Sequence, residues 1–195
     1  MFFRVVLFIL KCLVLSLNGR IKVVGKENIP SSAGYIIAAP HHSWLDPVAV
    51  AIAADPKRIT AMAKVELFNF KPLGFILRNM GAFPVNRAKP GPSAIKIPVQ
   101  RLKEDQATLI IFPSGTRHAS DIKGGTASIA RLSKCPILPT VYNGPLSLKD
   151  FLLRRPMTVI FDKPFYVKSK EDQANFAKHL DDVYSKIDEN HHLIQ

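Results

Sequence analysis

Tyr35-Ile36-Ile37-Ala38-Ala39-Pro40-His41-His42-Ser43-Trp44-Leu45-Asp46-Pro47 is the stretch whose reading decides the fold. Tyr35 to Ala39 is a short, wholly apolar run with two β-branched residues. Such a run reads as a strand covered on both faces, since a strand with one wet face would alternate apolar and polar residues. A polar cluster follows at once. If Ser43 is a helix N-cap, Asp46 stands three residues later in capping-box position and Pro47 falls in the tolerated first turn. Strand, polar turn and helix in that order are the unit of an α/β domain.

The same alternation extends in both directions. Strands are expected at Ile59 to Ala63, Ala82 to Asn86, Thr108 to Phe112, Ile137 to Tyr142 and Thr158 to Phe161. Helices are expected near Pro47 to Ala54, Pro72 to Met80, Pro92 to Lys103 and Gly125 to Leu132, and near the C-terminus. There Phe176, Leu180, Val183, Tyr184 and Ile187 form one apolar stripe, so that helix reads as structural. No repeat or low-complexity stretch interrupts the pattern. The fold class is therefore α/β, a single domain with a largely buried sheet flanked by helices.

Composition bounds the function. The chain has 195 residues, a formal net charge of +12 and 47% hydrophobic residues. That length excludes a disulfide-dependent mini-protein and a large multidomain machine, and the apolar content excludes a disordered basic tail. The charge is uneven. Met1 to Lys26 holds five cations and no acid, Glu27 to Lys170 holds 20 cations and 9 acids, and Glu171 to Gln195 holds 2 cations and 6 acids. A basic body attracts nucleic acid, anionic headgroups or phosphorylated small molecules alike. A basic stripe interleaved with aromatics, as a nucleic-acid surface requires, is absent from the sequence, so no nucleic-acid partner is expected. Cys12 and Cys135 have no C-x-x-C spacing and no secretion signal precedes them, which fits a reduced, cytosol-facing protein.

Phe2 to Leu17 (FFRVVLFILKCLVLSL) is apolar but broken by Arg4 and Lys11. It is too short and too charged for a spanning helix and lacks the unbroken core of a signal peptide. On a helix, Arg4, Lys11 and Asn18 fall within about 40° of one another, one thin polar stripe on an apolar rod. Such a rod can lie in the bilayer interface with its cations reaching phosphates. A buried core helix is the other reading. The acid-free basic flank favours the membrane, dividing the chain into residues 1–20, a monotopic membrane-associated helix, and residues 21–195, the α/β domain. The expected location is the cell membrane, on its cytoplasmic face.

In open α/β sheets, ligands collect beyond the carboxyl ends of strands. Three polar clusters stand there. His41 and Asp46, four residues between them, suit a carboxylate that holds one imidazole nitrogen while the other takes a proton; Asp46 acting only as a cap fits the same spacing. Gly81 to Arg87 (GAFPVNR) has Pro84 in a strand-like run, which argues an edge strand that delivers Arg87 to a rim. Phe112 to Arg117 (FPSGTR) offers backbone N–H groups and a guanidinium, suited to phosphate, although an ordinary turn has the same residues. Lys123-Gly124-Gly125 adds a cation and a helix start.

The order of these clusters, followed by Pro136-Ile137-Leu138-Pro139, resembles the glycerolipid acyltransferase family from about Lys22 to Val167. Ala63-Lys64-Val65-Glu66-Leu67 is similar to that family's Lys-x-Glu-Leu stretch. The resemblance implies a mixed α/β domain that moves a fatty acyl group from a thioester, acyl-CoA or acyl carrier protein, to the free hydroxyl of 1-acylglycerol 3-phosphate (lysophosphatidic acid). It implies His41 as the base and Asp46 as its orienting carboxylate. Arg87, Gly115, Thr116 and Arg117, with Lys64 and Lys123, would hold the acceptor's phosphate. It implies an N-terminal element on an anionic membrane surface; the His, Cys and carboxylates of the sequence show no metal-ligand spacing, and neither a metal nor a cofactor is expected. The chain departs from the family pattern at Pro40, where Asn is usual, and at Ser114, where Glu is usual. Another lysolipid or glycerol-phosphate acceptor, or a catalytically silent phospholipid-binding protein, stays open as an alternative. A serine hydrolase using Ser114 is disfavoured, because the Gly-x-Ser-x-Gly elbow is missing.

Overall fold

A computed structural model describes residues 2–31, 34–56, 58–86, 91–113 and 124–191. Helix α1 (Phe2–Leu17) leads into strand β1 (Ile21–Val24), and β2 (Ile36–Ala38) is followed by α2 (Asp46–Ala54). Then come β3 (Ile59–Lys64), α3 (Lys71–Asn79), β4 (Ala82–Val85), α4 (Ser93–Lys103), β5 (Thr108–Ile111), α5 (Gly125–Ser133) and β6 (Ile137–Asn143). Helix α6 (Leu148–Leu152), β7 (Met157–Phe161) and α7 (Lys170–His191) complete the chain. Every element expected from the sequence is present to within a residue or two at each end. Two are additional, β1 and α6.

The described residues form a seven-stranded sheet in the order β1-β7-β6-β2-β5-β3-β4. From β6 to β4 all neighbours are parallel, whereas β7 runs antiparallel to β6 and β1 parallel to β7. The sheet is thus mixed. Strand β4 lies at an edge, where Pro84 costs no ladder bond to a further neighbour.

Two apolar layers cover the faces. Ile37, Leu138 and Val159 face a cluster that includes α1, α2 and Phe151 of α6. Ile36, Ala38, Ile137 and Ile160 face the other, with α4, α5 and α7. Successive residues of β2 thus enter opposite layers, which is why the run shows no polar alternation. Helix α7 starts with a full capping box. Ser169 Oγ accepts from Asp172 N at 2.9 Å, and Asp172 accepts from the Ser169 and Lys168 N–H groups. These bonds hold the Asp172 carboxyl below the usual carboxylate range.

Helix α1 is part of the core on one face and exposed apolar surface on the other; membrane association of that face is not shown by the fold. Phe3, Leu7 and Val14 are buried against the body, while Val5, Phe8, Ile9, Leu13, Leu15 and Leu17 are about half exposed or more. Its polar stripe turns partly inward. Arg4 pairs with Asp55 at 2.7 Å rather than standing alone, and Asn18 is buried and bonded to the carbonyls of Phe151 and Arg155. Among the described residues no helix is long and apolar enough to cross a membrane.

Gly81 opens β4 with φ +83°, and a Cβ there would run into the Ile59 carbonyl. Gly81→Ala is therefore expected to cost about 2 kcal/mol or more in urea unfolding, from left-handed strain plus a displaced backbone. An unchanged unfolding midpoint would contradict this packing.

Candidate active site

The parallel strands β6, β2, β5, β3 and β4 all end on one side of the sheet, and the chemistry-bearing segments start from those ends. After β2 the chain turns through Pro40 and His41 into α2. Asp46 is the first residue of α2 and only 1% exposed, yet one of its oxygens is well supplied. Asp46 Oδ2 accepts from the N–H groups of His42 at 2.6 Å and Ser43 at 2.8 Å. His41 Nδ1 lies 3.1 Å from the same oxygen. These donors, and the positive end of α2, offset the cost of burying a carboxylate.

The capping box expected at Ser43 does not form: the N-cap position is Leu45, which has no side chain able to cap, and Asp46 is the first helical residue rather than the third. Asp46 reaches back to the Ser43 N–H, but Ser43 Oγ accepts from Leu45 N at 3.2 Å, not from Asp46 N. The carboxylate is left to share its remaining capacity with the histidine. With Nδ1–H donating to Asp46, Nε2 is the ring's proton acceptor; this tautomer follows from the bonding pattern. The His41 side chain is 38% exposed, so a bound hydroxyl can approach it.

Two residues that the sequence did not single out complete the surroundings. The Phe112 ring, at the end of neighbouring β5, lies against the His41 ring with centroids 4.5 Å apart and limits how it can turn. Its only sequence signal is its place at the head of Phe112-Pro-Ser-Gly-Thr-Arg. On the other flank, burial, followed by the charge of Asp46, pushes the Tyr142 hydroxyl well above its ordinary pKa. It stays protonated and donates to the Pro145 carbonyl at 3.3 Å. Among the described residues Asp46 Oδ1 has no hydrogen-bond partner.

Lys64 ends β3, exposed, on the same side as His41. It is two strand spacings from β2, roughly 10 Å. Arg87, Gly115, Thr116, Arg117 and Lys123 lie outside the described residues. The strands that lead to Arg87 and Gly115, β4 and β5, end on this same side. No group of three or more potential metal ligands occurs among the described residues. A cavity of about 320 Å³ opens at the other end of the strands, lined by Arg4, Arg58, Arg101 and Asp105 among others. Its cations are engaged locally: Arg4 with Asp55, Arg58 with the Asp105 carbonyl, and Arg101 with Thr60 and the Gly81 carbonyl.

The fold is similar to the crystal structure of the 1-acyl-sn-glycerophosphate acyltransferase PlsC from Thermotoga maritima. The TM-score is 0.73 at 20% identity, over 96% of this chain and 79% of that one. The sequence is 37% identical to a 1-acyl-sn-glycerol-3-phosphate acyltransferase of Streptococcus pneumoniae, over 97% of this chain and 74% of the relative. It is 42% identical to the Bacillus subtilis protein of that name, over 84% of this chain and 80% of the relative. The family model for acyltransferases matches residues 20–143, a span that holds β2, the His41 and Asp46 turn and every strand up to β6. The chain therefore belongs to the acyltransferase family.

Proposed function

We propose that the protein transfers a fatty acyl group from a thioester donor to the free hydroxyl of 1-acylglycerol 3-phosphate, giving phosphatidic acid for phospholipid synthesis. The observation that carries this reading is the 3.1 Å approach of His41 Nδ1 to the buried Asp46 carboxylate, in a chain related to acyltransferases of that name. A thioester is already activated, so the protein has to deprotonate the attacking hydroxyl and align the reactants. His41 Nε2 takes the hydroxyl proton as the oxygen bonds to the thioester carbonyl carbon. Asp46 holds the ring and stabilises the imidazolium that forms. The tetrahedral adduct then expels the thiolate, which recovers the proton from His41, and no covalent acyl-enzyme is needed. Arg87, Gly115, Thr116 and Arg117, with Lys64 and Lys123, hold the acceptor phosphate in this reading. Its support is their motif positions and the shared end of β2, β3, β4 and β5. Ser114 in place of the usual glutamate removes a negative charge from that loop, which suits an anion.

The outward apolar face of α1 docks on the membrane from its cytoplasmic side. Residues 1–20 act as the monotopic element and residues 21–195 as the catalytic domain, the two joined by the packing of Phe3, Leu7 and Val14 on the core. Acyl-CoA and acyl carrier protein both fit a basic body as donor. A radiolabelled assay offering lysophosphatidate and glycerol 3-phosphate together, with each donor in turn, tests the reading. Labelled phosphatidic acid is the expected main product. Label only in acylated glycerol 3-phosphate, or no turnover with either donor, would overturn it.

A further inference from the structure

Leu146 to Arg155 carries leucines that the core does not use. Leu146, Leu148, Leu152 and Leu153 are each more than half exposed, although Phe151 in the same short helix is buried. Lys149, Arg154 and Arg155 stand among them; Arg155 is paired with the single acid, Asp150, at 3.0 Å, which leaves Lys149 and Arg154 as the segment's excess positive charge. Aliphatic side chains interleaved with cations match a bilayer interface bearing anionic headgroups. A second copy of the chain brings the same positive charge and gains nothing comparable; an acidic protein would meet the cations, but four exposed leucines beside an exposed Trp44 suit the bilayer better.

The position of the segment gives the charge pattern its meaning. On one side it is clamped to the end of α1. Asn18 Nδ2 donates to the Phe151 and Arg155 carbonyls at 2.8 and 3.2 Å, and Arg154 Nη2 donates to the Ser16 carbonyl at 2.9 Å. Leu13, Leu15 and Leu17 of α1 are themselves about half exposed. On the other side the Leu146 carbonyl lies 3.5 Å from Ser43 Oγ, in the loop that carries His41. That loop also presents Trp44, more than half exposed and the single tryptophan of the chain. Indole rings favour the headgroup level of a bilayer.

We propose that Leu146–Arg155 and Trp44 form a second bilayer-docking element, continuous with α1, that seats the mouth of the His41 site at the headgroup level of an anionic membrane. The proposal rests on the membrane reading of α1 given above. It accounts for how an acceptor that is itself a membrane lipid meets a histidine held at the end of a sheet: the loop is lowered to the lipid, and the lipid need not leave the bilayer.

Trp44 makes the test direct, because all indole fluorescence comes from it. Vesicles of equal parts phosphatidylglycerol and phosphatidylcholine, with bromine on the upper acyl carbons, are expected to shift its emission to the blue and quench it on binding the unaltered protein. Emission that neither shifts nor is quenched when the protein is vesicle-bound overturns the proposal. Independently, Leu148→Ser with Leu152→Ser and Leu153→Ser is expected to weaken partition onto these vesicles on the order of tenfold. Phe8→Ser with Ile9→Ser and Leu13→Ser probes α1 in parallel. If the α1 variant loses partition and the leucine variant does not, this inference fails and the α1 reading stands. If neither loses it, both fail. A concentration-dependent dimer abolished by the leucine changes, with partition unchanged, assigns the surface to a second copy and also overturns the proposal.

Discussion

His41→Ala lowers kcat for acyl transfer by about 10²- to 10⁴-fold, the usual contribution of a positioned general base. Both KM values and the unfolding midpoint should stay close to those of the parent. The reason is local. The imidazole is partly exposed and makes one short polar contact, and without it Asp46 Oδ2 still accepts from the His42 and Ser43 N–H groups. The substitution thus removes a proton acceptor without orphaning a buried group. The measurement is steady-state turnover of lysophosphatidate and a thioester by purified protein, beside a thermal melt. Near-parental kcat in the alanine variant would mean that the acceptor's proton goes elsewhere, and the His41 mechanism would be wrong.

Asp46 separates catalysis from capping through two substitutions with different signatures. Asp46→Asn keeps an oxygen for the two backbone donors, so the turn should hold and the melt should change little. It loses the negative charge that fixes the Nδ1–H tautomer and stabilises the imidazolium, so kcat should fall by roughly 10²- to 10⁴-fold. Asp46→Ala strips the acceptor from both N–H groups. Each buried donor left unpaired costs about 1–3 kcal/mol, so stability and activity should fall together. Parental turnover by the asparagine variant, with only the alanine variant impaired, would reduce Asp46 to a helix cap. The absence of a capping box favours the catalytic outcome, since Asp46 Oδ2 is shared with His41 while Ser43 Oγ is spent on Leu45 N.

The legible parts of this chain were those governed by neighbours in sequence. The Tyr35 to Asp46 stretch told its own story because a strand, a turn and a helix start fit within thirteen residues. The apolar stripe of α7 and the edge position of β4 were equally local matters, one of helical period and the other of a proline that cannot donate. Strand β1 was missed because Ile21–Val24 is four residues long with Lys22 inside it, and its partner is β7, more than 130 residues away. Helix α6 was missed because its leucines show no apolar period; one residue is buried and the others face outward.

The candidate site divides in the same way. His41 and Asp46 are five residues apart, so a single turn closing onto a helix start brings them together; the spacing fitted a cap-only Asp46 equally well, and the order of the motifs is what favoured the pair. That Phe112 limits the His41 ring, that Tyr142 lies near the carboxylate, and that Lys64 shares their side of the sheet depend on the strand order β6-β2-β5-β3. The sequence by itself determined the α/β class, the family and the His41–Asp46 pair. Only the tertiary structure decided that α1 is at once core and apolar surface, that Arg4 turns to Asp55, and that Leu146–Arg155 joins α1 to the loop that carries His41. Local torsions and side-chain period are written in adjacent residues, whereas these contacts exist only once strands distant in the chain have chosen their partners and register.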